Sequence, residues 1–265
     1  MDQLLDLETY PIDQPDSATY TALVAKCRED LAAYGMFELA GFVRLEAVKA
    51  AVENATPVMA HDSFRHARSH NIYFRDKVEG LADNHPALVK NQTVNHTICG
   101  DQIPDSPMIA IYEWQPFADF LAATMSKAAL YQMNDPIGRV NIQASRDGEA
   151  LNWHFDQSEF TTTILLQSPE VGGELEYRRD LRSSDNPNYD GIAAVLKGKD
   201  PLVKKQKLKP GALNVFRGVN TLHRVVPVKG KTERLVTIFS FYERPGVSMS
   251  PESQLGFYGR VASAA

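Results

Sequence analysis

The first part of the chain has apolar residues at the spacing of helices that cover one face of a sheet. Residues 17–35, SATYTALVAKCREDLAAYG, predict a helix that Ser17 caps and Gly35 ends. Residues 36–43 alternate as a short strand does, and residues 45–60 predict a second helix. The chain is therefore expected to begin with helices around a single strand.

The pattern changes twice further along the chain. Residues 61–107 are rich in His, Asn, Asp and Pro and predict loops, whereas residues 111–133 have a broad apolar face and predict a third helix. From residue 139 onward, β-prone runs are separated by Gly, Pro, Asp and Asn. These runs are RVNIQAS, NWHFDQ, EFTTTILLQ, GELEYR, ALNVFRG, LHRVVPV and RLVTIFSFYE. Many short strands with turn signals favour a sandwich or a barrel.

The helical and β-rich halves are expected to form one unit. No linker rich in Gly, Ser or Pro separates them near residues 134–139, so the sequence predicts an α+β fold in which helices back an antiparallel core. A polar insert, residues 179–209, interrupts the strands and contains a short helical piece near residues 189–197. Its lysines are interpreted as a solvated loop face.

Composition narrows the choice of partners and compartment. The chain has 265 residues, 43% of them hydrophobic and 23% charged, which is ordinary for a soluble globular protein. A net charge of −5 and a pI near 5.8 give no basic surface for nucleic acid, and no apolar run could span a bilayer. The N-terminal residues lack the features of a signal peptide, so Cys27 and Cys99 are predicted to be reduced thiols in a cytoplasmic protein.

Candidate chemistry first appears in the run LNWHFDQSEF. His154 and Asp156 lie two apart in a β-prone segment, so their side chains are expected on the same face. Polar groups in a β-rich core are costly unless a partner satisfies them. A metal ion bound by both side chains would do so, and a hydrogen-bonded His–Asp pair would do so as well.

Two residues far downstream complete a larger set. His223 precedes one apolar run, and Arg234 begins another eleven residues later. Two histidines and one carboxylate leave three positions open on an octahedral metal, as in non-haem Fe(II) oxygenases. Those positions let oxygen and a substrate-side ligand reach the iron, while an arginine fork nearby suits a carboxylate.

With these residues in order, the chain resembles the Fe(II)/2-oxoglutarate-dependent dioxygenase superfamily. The matching segments are HFD, GALNVFRG, LHRVVPV and ERLVTIFSF. The resemblance implies that His154, Asp156 and His223 bind Fe(II). It also implies that Arg234 holds the distal carboxylate of the co-substrate 2-oxoglutarate, with O2 as the other reactant.

The resemblance also implies an architecture. The expected core is a double-stranded β-helix, a jelly roll of the cupin type, within a single domain over residues 1–265. Residues 1–138 would give mainly helical support, residues 139–245 the jelly roll, and residues 246–265 a C-terminal extension. A homodimer is one possible oligomeric state.

A longer stretch resembles one branch of that superfamily. WHFDQSEFTTTILLQSPEVGGELEY, followed by RSSDNPNYD and HRVVPVKG, is similar to the radical halogenases and hydroxylases of free amino acids. Halogenases of that branch have Gly in place of the metal-binding Asp, which opens a site for chloride, so the presence of Asp156 implies hydroxylation. The lysine-acting members carry acidic residues and a His where this chain has Gln157, Ile137 and Leu151. Their pocket for a cationic side chain is therefore expected to be absent.

Further polar residues are weaker candidates for the site. Asn141 lies on the strand before the His-x-Asp motif, where the resemblance implies a contact to 2-oxoglutarate. Candidate substrate contacts are Gln157, Asn220, Thr221 and His96.

The run HDSFRHARSH offers other histidines and arginines. His66 and His70, four apart, could share a helix face and a metal, but no carboxylate or cysteine completes such a site. They are interpreted as surface or substrate-pocket residues. Arg65, Arg68 and Arg75 could meet an anionic group of a substrate, although a solvated face is the preferred interpretation.

Three functions are compatible with this pattern. The leading one is a dioxygenase that hydroxylates an unactivated C–H bond of a small molecule, a free amino acid or an amino-acid-like metabolite, with release of succinate and CO2. The second is an oxygenase that modifies a protein side chain. The third is a cupin-like metal-binding protein without catalytic activity, against which Arg234 weighs because such a protein needs no co-substrate anchor.

Overall fold

The computed structural model describes residues 1–262, and within that range it contains six α-helices and thirteen strands. The helices are α1 (Ala18–Tyr34), α2 (Leu45–Asp62), α3 (Pro107–Glu113), α4 (Gln115–Thr124), α5 (Tyr189–Leu196) and α6 (Pro251–Tyr258). The first seven strands are β1 (Met36–Leu39), β2 (Phe64–His70), β3 (Asn91–Cys99), β4 (Tyr131–Gln132), β5 (Val140–Ser145), β6 (Leu151–His154) and β7 (Thr161–Gln167). The remaining strands are β8 (Leu175–Arg178), β9 (Lys204–Gln206), β10 (Leu213–Phe216), β11 (Leu222–Val225), β12 (Arg234–Phe239) and β13 (Phe241–Tyr242).

Two antiparallel sheets form the core of the fold. The major sheet has the order β1-β10-β7-β12-β5-β3-β2, and the minor sheet has the order β6-β11-β8-β9. From β5 to β8, and again from β10 to β12, successive strands alternate between the two sheets. This winding is that of a double-stranded β-helix, so the predicted α+β jelly roll is confirmed.

The two faces of the major sheet have different partners because side chains alternate along each strand. On β12, Leu235 and Phe239 belong to the main apolar core, which also contains residues of α1, α2, α3 and α4. Arg234 and Val236 face the opposite side, toward the minor sheet, where Val236 packs with Leu165. The helices therefore cover one face, and the other face is left to line the interior of the jelly roll.

The first predicted helix is confirmed with both of its ends. The hydroxyl of Ser17 accepts a hydrogen bond from the backbone N–H of Tyr20. Gly35 adopts a left-handed conformation with φ 76°, which Gly reaches without steric cost, and its N–H donates to Leu31 O.

The prediction that residues 61–107 are loops is wrong in part. β2 pairs antiparallel with β3 over the whole length of β2, and β3 continues the major sheet by pairing with β5. The run was difficult to recognise because these strands carry His, Arg, Asn and Thr at positions where buried strands carry apolar residues. The side chains of β2 and of the first part of β3 line a polar edge of the sheet, and β3 reaches the core only at its end, where Ile98 is buried.

The single helix predicted over residues 111–133 is also corrected. The structure has α3, α4 and the short strand β4 in that range. Pro116 has no N–H to donate to the carbonyl of Tyr112, so the helical hydrogen bonding is interrupted there. That carbonyl accepts from Gln132 Nε2 at 3.1 Å instead, which ties β4 to the end of α3.

The polar insert does more than form a solvated loop. Its helix α5, which confirms the predicted helical piece, buries Ile192 and Val195 against Phe155 and Leu222 on the outer face of the minor sheet. Its lysines are exposed, as expected. The insert therefore covers the face of the minor sheet that the N-terminal helices do not reach.

The two cysteines are buried free thiols, and burial raises the pKa of each to about 12. Among residues 1–262, none of the helices is both long and apolar enough to cross a membrane.

Candidate active site

The two predicted metal-binding histidines face each other across neighbouring strands of the minor sheet. His154 ends β6, and its antiparallel partner on β11 is His223. Asp156 follows two residues after His154, and its Oδ1 lies 3.4 Å from His154 Nε2 and 3.5 Å from His223 Nε2. One potential ligand atom from each of the three residues lies within 4.8 Å of the others. Within residues 1–262, these three residues form the cluster of His, Cys, Asp or Glu side chains that could hold a metal ion.

Backbone carbonyls fix the orientation of both imidazoles. His154 Nδ1 lies 2.8 Å from Asn152 O, and His223 Nδ1 lies 2.9 Å from Thr221 O. A carbonyl only accepts hydrogen bonds, so each Nδ1 carries the hydrogen and each Nε2 presents a lone pair to the site. Two lone pairs that face one carboxylate oxygen repel it unless a proton or a cation lies between them. The three residues therefore fit a divalent metal ion.

The electrostatics favour the protonation states that a metal needs. Burial, with a smaller contribution from His223, lowers the pKa of His154. Burial alone would raise the pKa of Asp156, but the positive charge of a proton on the neighbouring histidines outweighs burial and holds that pKa well below its usual range, and a bound cation would act in the same direction. A neutral imidazole and an ionised carboxylate are the forms that bind metal.

Arg234 lies at the start of β12 on the face that lines the jelly roll. Its Nε donates to Gly173 O at 3.0 Å. Among residues 1–262, no carboxylate forms an ion pair with it. Burial of its guanidinium lowers the pKa to about 10, so the group is charged at neutral pH. An enclosed charge without a counter-ion is costly, and an anion bound there would offset that cost.

Asn141 is on the same face but already has protein partners. Its Nδ2 donates to Ile137 O at 2.8 Å and to Val140 O at 2.9 Å, and its Oδ1 accepts from the Tyr258 hydroxyl at 2.8 Å. Both amide hydrogens are therefore used inside the protein. This geometry gives Asn141 a structural role and leaves it no free donor for a co-substrate.

The predicted substrate contacts are spread over different surroundings. His96 pairs with Ala144, and its side chain is on the face of β3 that also carries the core residue Ile98, away from the triad. Its Nε2 lies 3.1 Å from Glu149 Oε1. The structure does not bring His96 to the candidate centre.

The other three candidates lie closer in sequence to the metal-binding residues. Gln157 is exposed next to Asp156. The backbone carbonyl of Asn220 accepts hydrogen bonds from the N–H groups of Leu181 and Arg182, so it anchors the insert. Thr221 is buried beside His223, and its hydroxyl has no hydrogen-bond partner among the described residues. Thr221 is thus the one of the three with an unused buried polar group.

Sequence reasoning missed an aromatic side chain that contacts the centre. The ring of Phe74 lies edge-on to the His154 ring, with 6.2 Å between centroids, and the His70 ring stacks on the Phe74 ring with 4.3 Å between centroids. Phe74 has φ 54°, a rare conformation for an aromatic residue. The buried Asn71 stabilises it, since its Oδ1 accepts from the N–H groups of Tyr73 and Arg75. In the sequence, Asn71 was the residue that could have indicated this turn, because Asn side chains accept hydrogen bonds from backbone N–H groups in turns.

A cavity of about 210 Å³ opens beside Phe74 and is rich in cationic groups. Its lining includes Arg68, His70, Asn71, Phe74, Arg75 and Lys90. The guanidinium of Arg68 lies 4.6 Å from the centroid of Phe74. Asp76, also in the lining, is paired with Lys90 at 2.6 Å. The arginines at this cavity are therefore available to an anion.

The histidines of β2 do not form a second metal site. His66 and His70 are four apart on a strand, which separates them by about 13 Å instead of placing them on adjacent helix turns. Both ring nitrogens of His70 are also used, by Asn71 O at 2.9 Å and Thr93 Oγ1 at 2.8 Å. The interpretation of these histidines as surface or pocket residues fits the contacts, since His70 lines the cavity beside Phe74 and His66 stacks on Phe257.

Solved structures of 2-oxoglutarate and Fe(II) oxygenases share this fold at low sequence identity. An oxidoreductase of the 2OG-Fe(II) oxygenase family from Burkholderia pseudomallei is 14% identical, with a TM-score of 0.51 over 84% of this chain and 92% of that one. The epimerase SnoN, in complex with Fe3+, alpha ketoglutarate and nogalamycin RO, is 13% identical, with a TM-score of 0.54 over 83% and 84% of the two chains. HygX from Streptomyces hygroscopicus, with nickel and 2-oxoglutarate bound, is 9% identical, with a TM-score of 0.53 over 82% and 85%.

Together, the jelly roll and its His-Asp-His group define the class of Fe(II)/2-oxoglutarate oxygenases, as the sequence predicted. Within this class, the family model described as Halogenase D matches residues 19–252, so the chain belongs to the Halogenase D family. No curated protein has significant sequence similarity to the chain.

Proposed function

We propose that the protein is an Fe(II)- and 2-oxoglutarate-dependent dioxygenase that hydroxylates a carboxylate-bearing small molecule. The observation that carries the proposal is the complete triad, in which the Asp156 carboxylate lies between the Nε2 atoms of His154 and His223. These three residues would hold the iron. Arg234 would bind the distal carboxylate of 2-oxoglutarate.

The cofactors would supply the oxidation, and the protein the geometry. Bound iron and 2-oxoglutarate activate O2 for removal of a hydrogen atom from a C–H bond, with release of succinate and CO2. The carbonyls that fix both imidazoles keep the ligand atoms directed at one point. Phe74 and the interior residues of the jelly roll would exclude water from the reacting carbon.

Hydroxylation, rather than halogenation, follows from Asp156. Halogenases of the branch that this chain resembles have Gly at this position, where chloride takes the place of the carboxylate. Here the carboxylate contacts both histidines and fills that position. Membership of a family described by a halogenase therefore does not decide the reaction of this chain.

The cationic cavity supports an anionic substrate, such as a free amino acid or an amino-acid-like acid. Arg68 and Arg75 line it without a paired acid in the described residues, and Phe74 connects it to His154. The substitutions Gln157 and Ile137 remove the acidic groups that a lysine side chain would need. The favoured substrate therefore carries a carboxylate and an uncharged side chain.

The test is succinate formation from 2-oxoglutarate with Fe(II) and air, with free amino acids and related acids supplied in pools. We expect one pool to stimulate turnover and to yield a product heavier by one oxygen atom. His154→Ala and Arg234→Ala should be inactive. Arg224→Ala should be active, because that arginine pairs with Glu176 on the outer face of the minor sheet.

The alternatives correspond to other outcomes of the same experiment. A chlorinated product in the presence of chloride would show that the reaction is halogenation and not hydroxylation. Turnover stimulated by peptides alone would favour a protein side chain as the substrate. Metal binding without 2-oxoglutarate binding or oxygen uptake would indicate a cupin-like binding protein.

A further inference from the structure

The carboxylate of Asp156 is held by more than its two histidine neighbours. Oδ1 faces His154 and His223, while Oδ2 accepts a hydrogen bond from Thr161 Oγ1 at 2.6 Å. The backbone N–H of Asp156 donates to Gly218 O at 3.2 Å. The two carboxylate oxygens therefore have different surroundings, one directed at the histidines and one at the protein.

Thr161 is suited to this contact by its place in the sheet. It is the first residue of β7, in the run TTT, and is five residues from Asp156 across the turn that follows β6. A distance of 2.6 Å is that of a hydrogen bond to an ionised oxygen, which is roughly twice as strong as a neutral one. The contact keeps Oδ2 from rotating toward the histidines.

Gly218 closes the other side of the carboxylate. It lies in the loop between β10 and β11, and a Cβ atom added there would be 2.6 Å from Asp156 Cγ and would overlap Oδ2. Real Cβ atoms are not found at such a distance, so any larger residue would push the carboxylate out of place. The glycine is needed here for close approach rather than for an unusual φ.

We propose that Thr161 is a positioning residue which, with Gly218, holds the Asp156 carboxylate in an orientation that would bind iron through Oδ1. Because Oδ2 accepts from the hydroxyl and occupies the space that Gly218 leaves free, only Oδ1 is directed at the two histidines and would face the metal. A carboxylate that bound through both oxygens would fill a further position, and the iron would lose one of the sites that 2-oxoglutarate and oxygen need. This inference rests on the proposed iron site, and it adds two residues that no metal-ligand motif contains.

The experiment compares three threonine variants by binding of the metal alone. Fe(II) affinity is measured without oxygen, together with the visible charge-transfer absorption that forms when 2-oxoglutarate joins the iron. Thr161→Val removes the hydroxyl and keeps the shape of the side chain. Thr161→Ser keeps the hydroxyl. Thr163→Val is the matched control, because Thr163 is on the same face of β7 and its hydroxyl is 3.5 Å from Asn214 O, not at the carboxylate.

We expect Thr161→Val to weaken Fe(II) binding about 10–100-fold, the usual effect of losing an outer partner of a metal ligand. Its charge-transfer band should shift, since a carboxylate free to rotate changes the iron geometry. Thr161→Ser and Thr163→Val should bind as the wild type does. Gly218→Ala should weaken binding at least as much as Thr161→Val, and all variants are compared by melting temperature without metal to confirm folding.

Two results would overturn the inference. One is a Thr161→Val protein with the Fe(II) affinity and absorption band of the wild type. The other is equal loss of affinity in Thr161→Val and Thr163→Val, which would indicate a general effect of changing this strand. Failure of the wild type itself to bind Fe(II) would instead refute the proposed function, so the two failures are distinguishable.

Discussion

Arg234 and Asn141 are polar residues near opposite ends of one strand pair, and their surroundings differ completely. Arg234 pairs with Ser145 at one end of the β12–β5 ladder, and Asn141 pairs with Ile238 near the other end. Both side chains face the interior of the jelly roll. Asn141 has three hydrogen bonds to protein groups, whereas the charge of Arg234 has one carbonyl and no anion among the described residues.

The difference separates a structural polar residue from one that awaits a ligand. A buried amide whose hydrogens are both used adds stability and leaves nothing for a small molecule. An enclosed guanidinium without a carboxylate destabilises the ligand-free protein and binds an anion strongly when one arrives. Their positions in the sequence predicted that both residues bind 2-oxoglutarate. Their hydrogen bonds in the structure favour Arg234 alone for this role.

The largest expected effect is at Arg234. Arg234→Ala should weaken 2-oxoglutarate binding about 10²–10³-fold, because loss of one member of an enclosed charge pair costs roughly 3–4 kcal/mol. The stability of the ligand-free protein should not fall, since the arginine has no internal counter-ion. Calorimetric titration and thermal melting measure the two quantities, with Arg224→Ala as the control. A clear loss of ligand-free stability with unchanged 2-oxoglutarate affinity would make Arg234 a structural residue.

Asn141→Leu should show the opposite behaviour. The carbonyls of Ile137 and Val140 and the Tyr258 hydroxyl would lose their partner, so the free energy of unfolding should fall by about 1–3 kcal/mol. The affinity for 2-oxoglutarate should be unchanged. Tyr258→Phe, which removes one of the three bonds, should lose about 1 kcal/mol in urea unfolding. If 2-oxoglutarate affinity fell while the protein stayed folded, the role predicted from sequence would be restored.

Arg68 shows how much a missing acidic partner matters when the arginine is exposed instead of enclosed. It also forms no ion pair within residues 1–262, but it is exposed at the mouth of the cationic cavity. Since exposed charge pairs contribute up to about 1 kcal/mol, Arg68→Gln should raise the KM for the substrate about fivefold and leave 2-oxoglutarate affinity unchanged. Steady-state kinetics test this, with Arg65→Gln on the opposite face of β2 as the control. An equal effect of both variants would indicate general loss of positive charge.

The smallest effect concerns pH. Burial lowers the pKa of Arg234 to about 10, so its charge is complete from pH 7 to 9 and half lost at about pH 10. Affinity for 2-oxoglutarate should be flat over the lower range and about twofold weaker at pH 10, as measured by titration calorimetry. The charged group destabilises the fold below pH 10, and this destabilisation is removed as pH rises from about 10 to 12.5, where the unfolded chain binds the proton more readily than the folded one. The contribution of Asn141 to stability should not change with pH. A loss of 2-oxoglutarate affinity that is already complete at pH 9 would contradict the role assigned to Arg234.

Most of the strands and the ligand set could be predicted because their signals are local. His154 and Asp156 are two apart in a β-prone run, and this spacing places their side chains on one side where the backbone is extended. The run RLVTIFSFYE is rich in β-branched and aromatic residues, which favour strands, and β12 begins at its first residue. β2 and β3 were not recognised as strands because His, Arg, Asn and Thr occupy most of their positions, and the few buried apolar residues, such as Ile98, give no regular pattern.

The amino-acid sequence by itself determined which side chains are available and most of the secondary structure. It supplies two histidines, a carboxylate and an arginine on or beside the strands of an α+β chain. The tertiary structure alone decided which polar groups meet. Asn141 meets Tyr258 across 117 residues, and His96 meets Glu149 across 53, so neither is free for a ligand. The approach of Gly218 to Asp156 likewise depends on how two loops pack. Side-chain type and spacing are properties of the chain, but partnership between distant residues exists only after the sheets have closed.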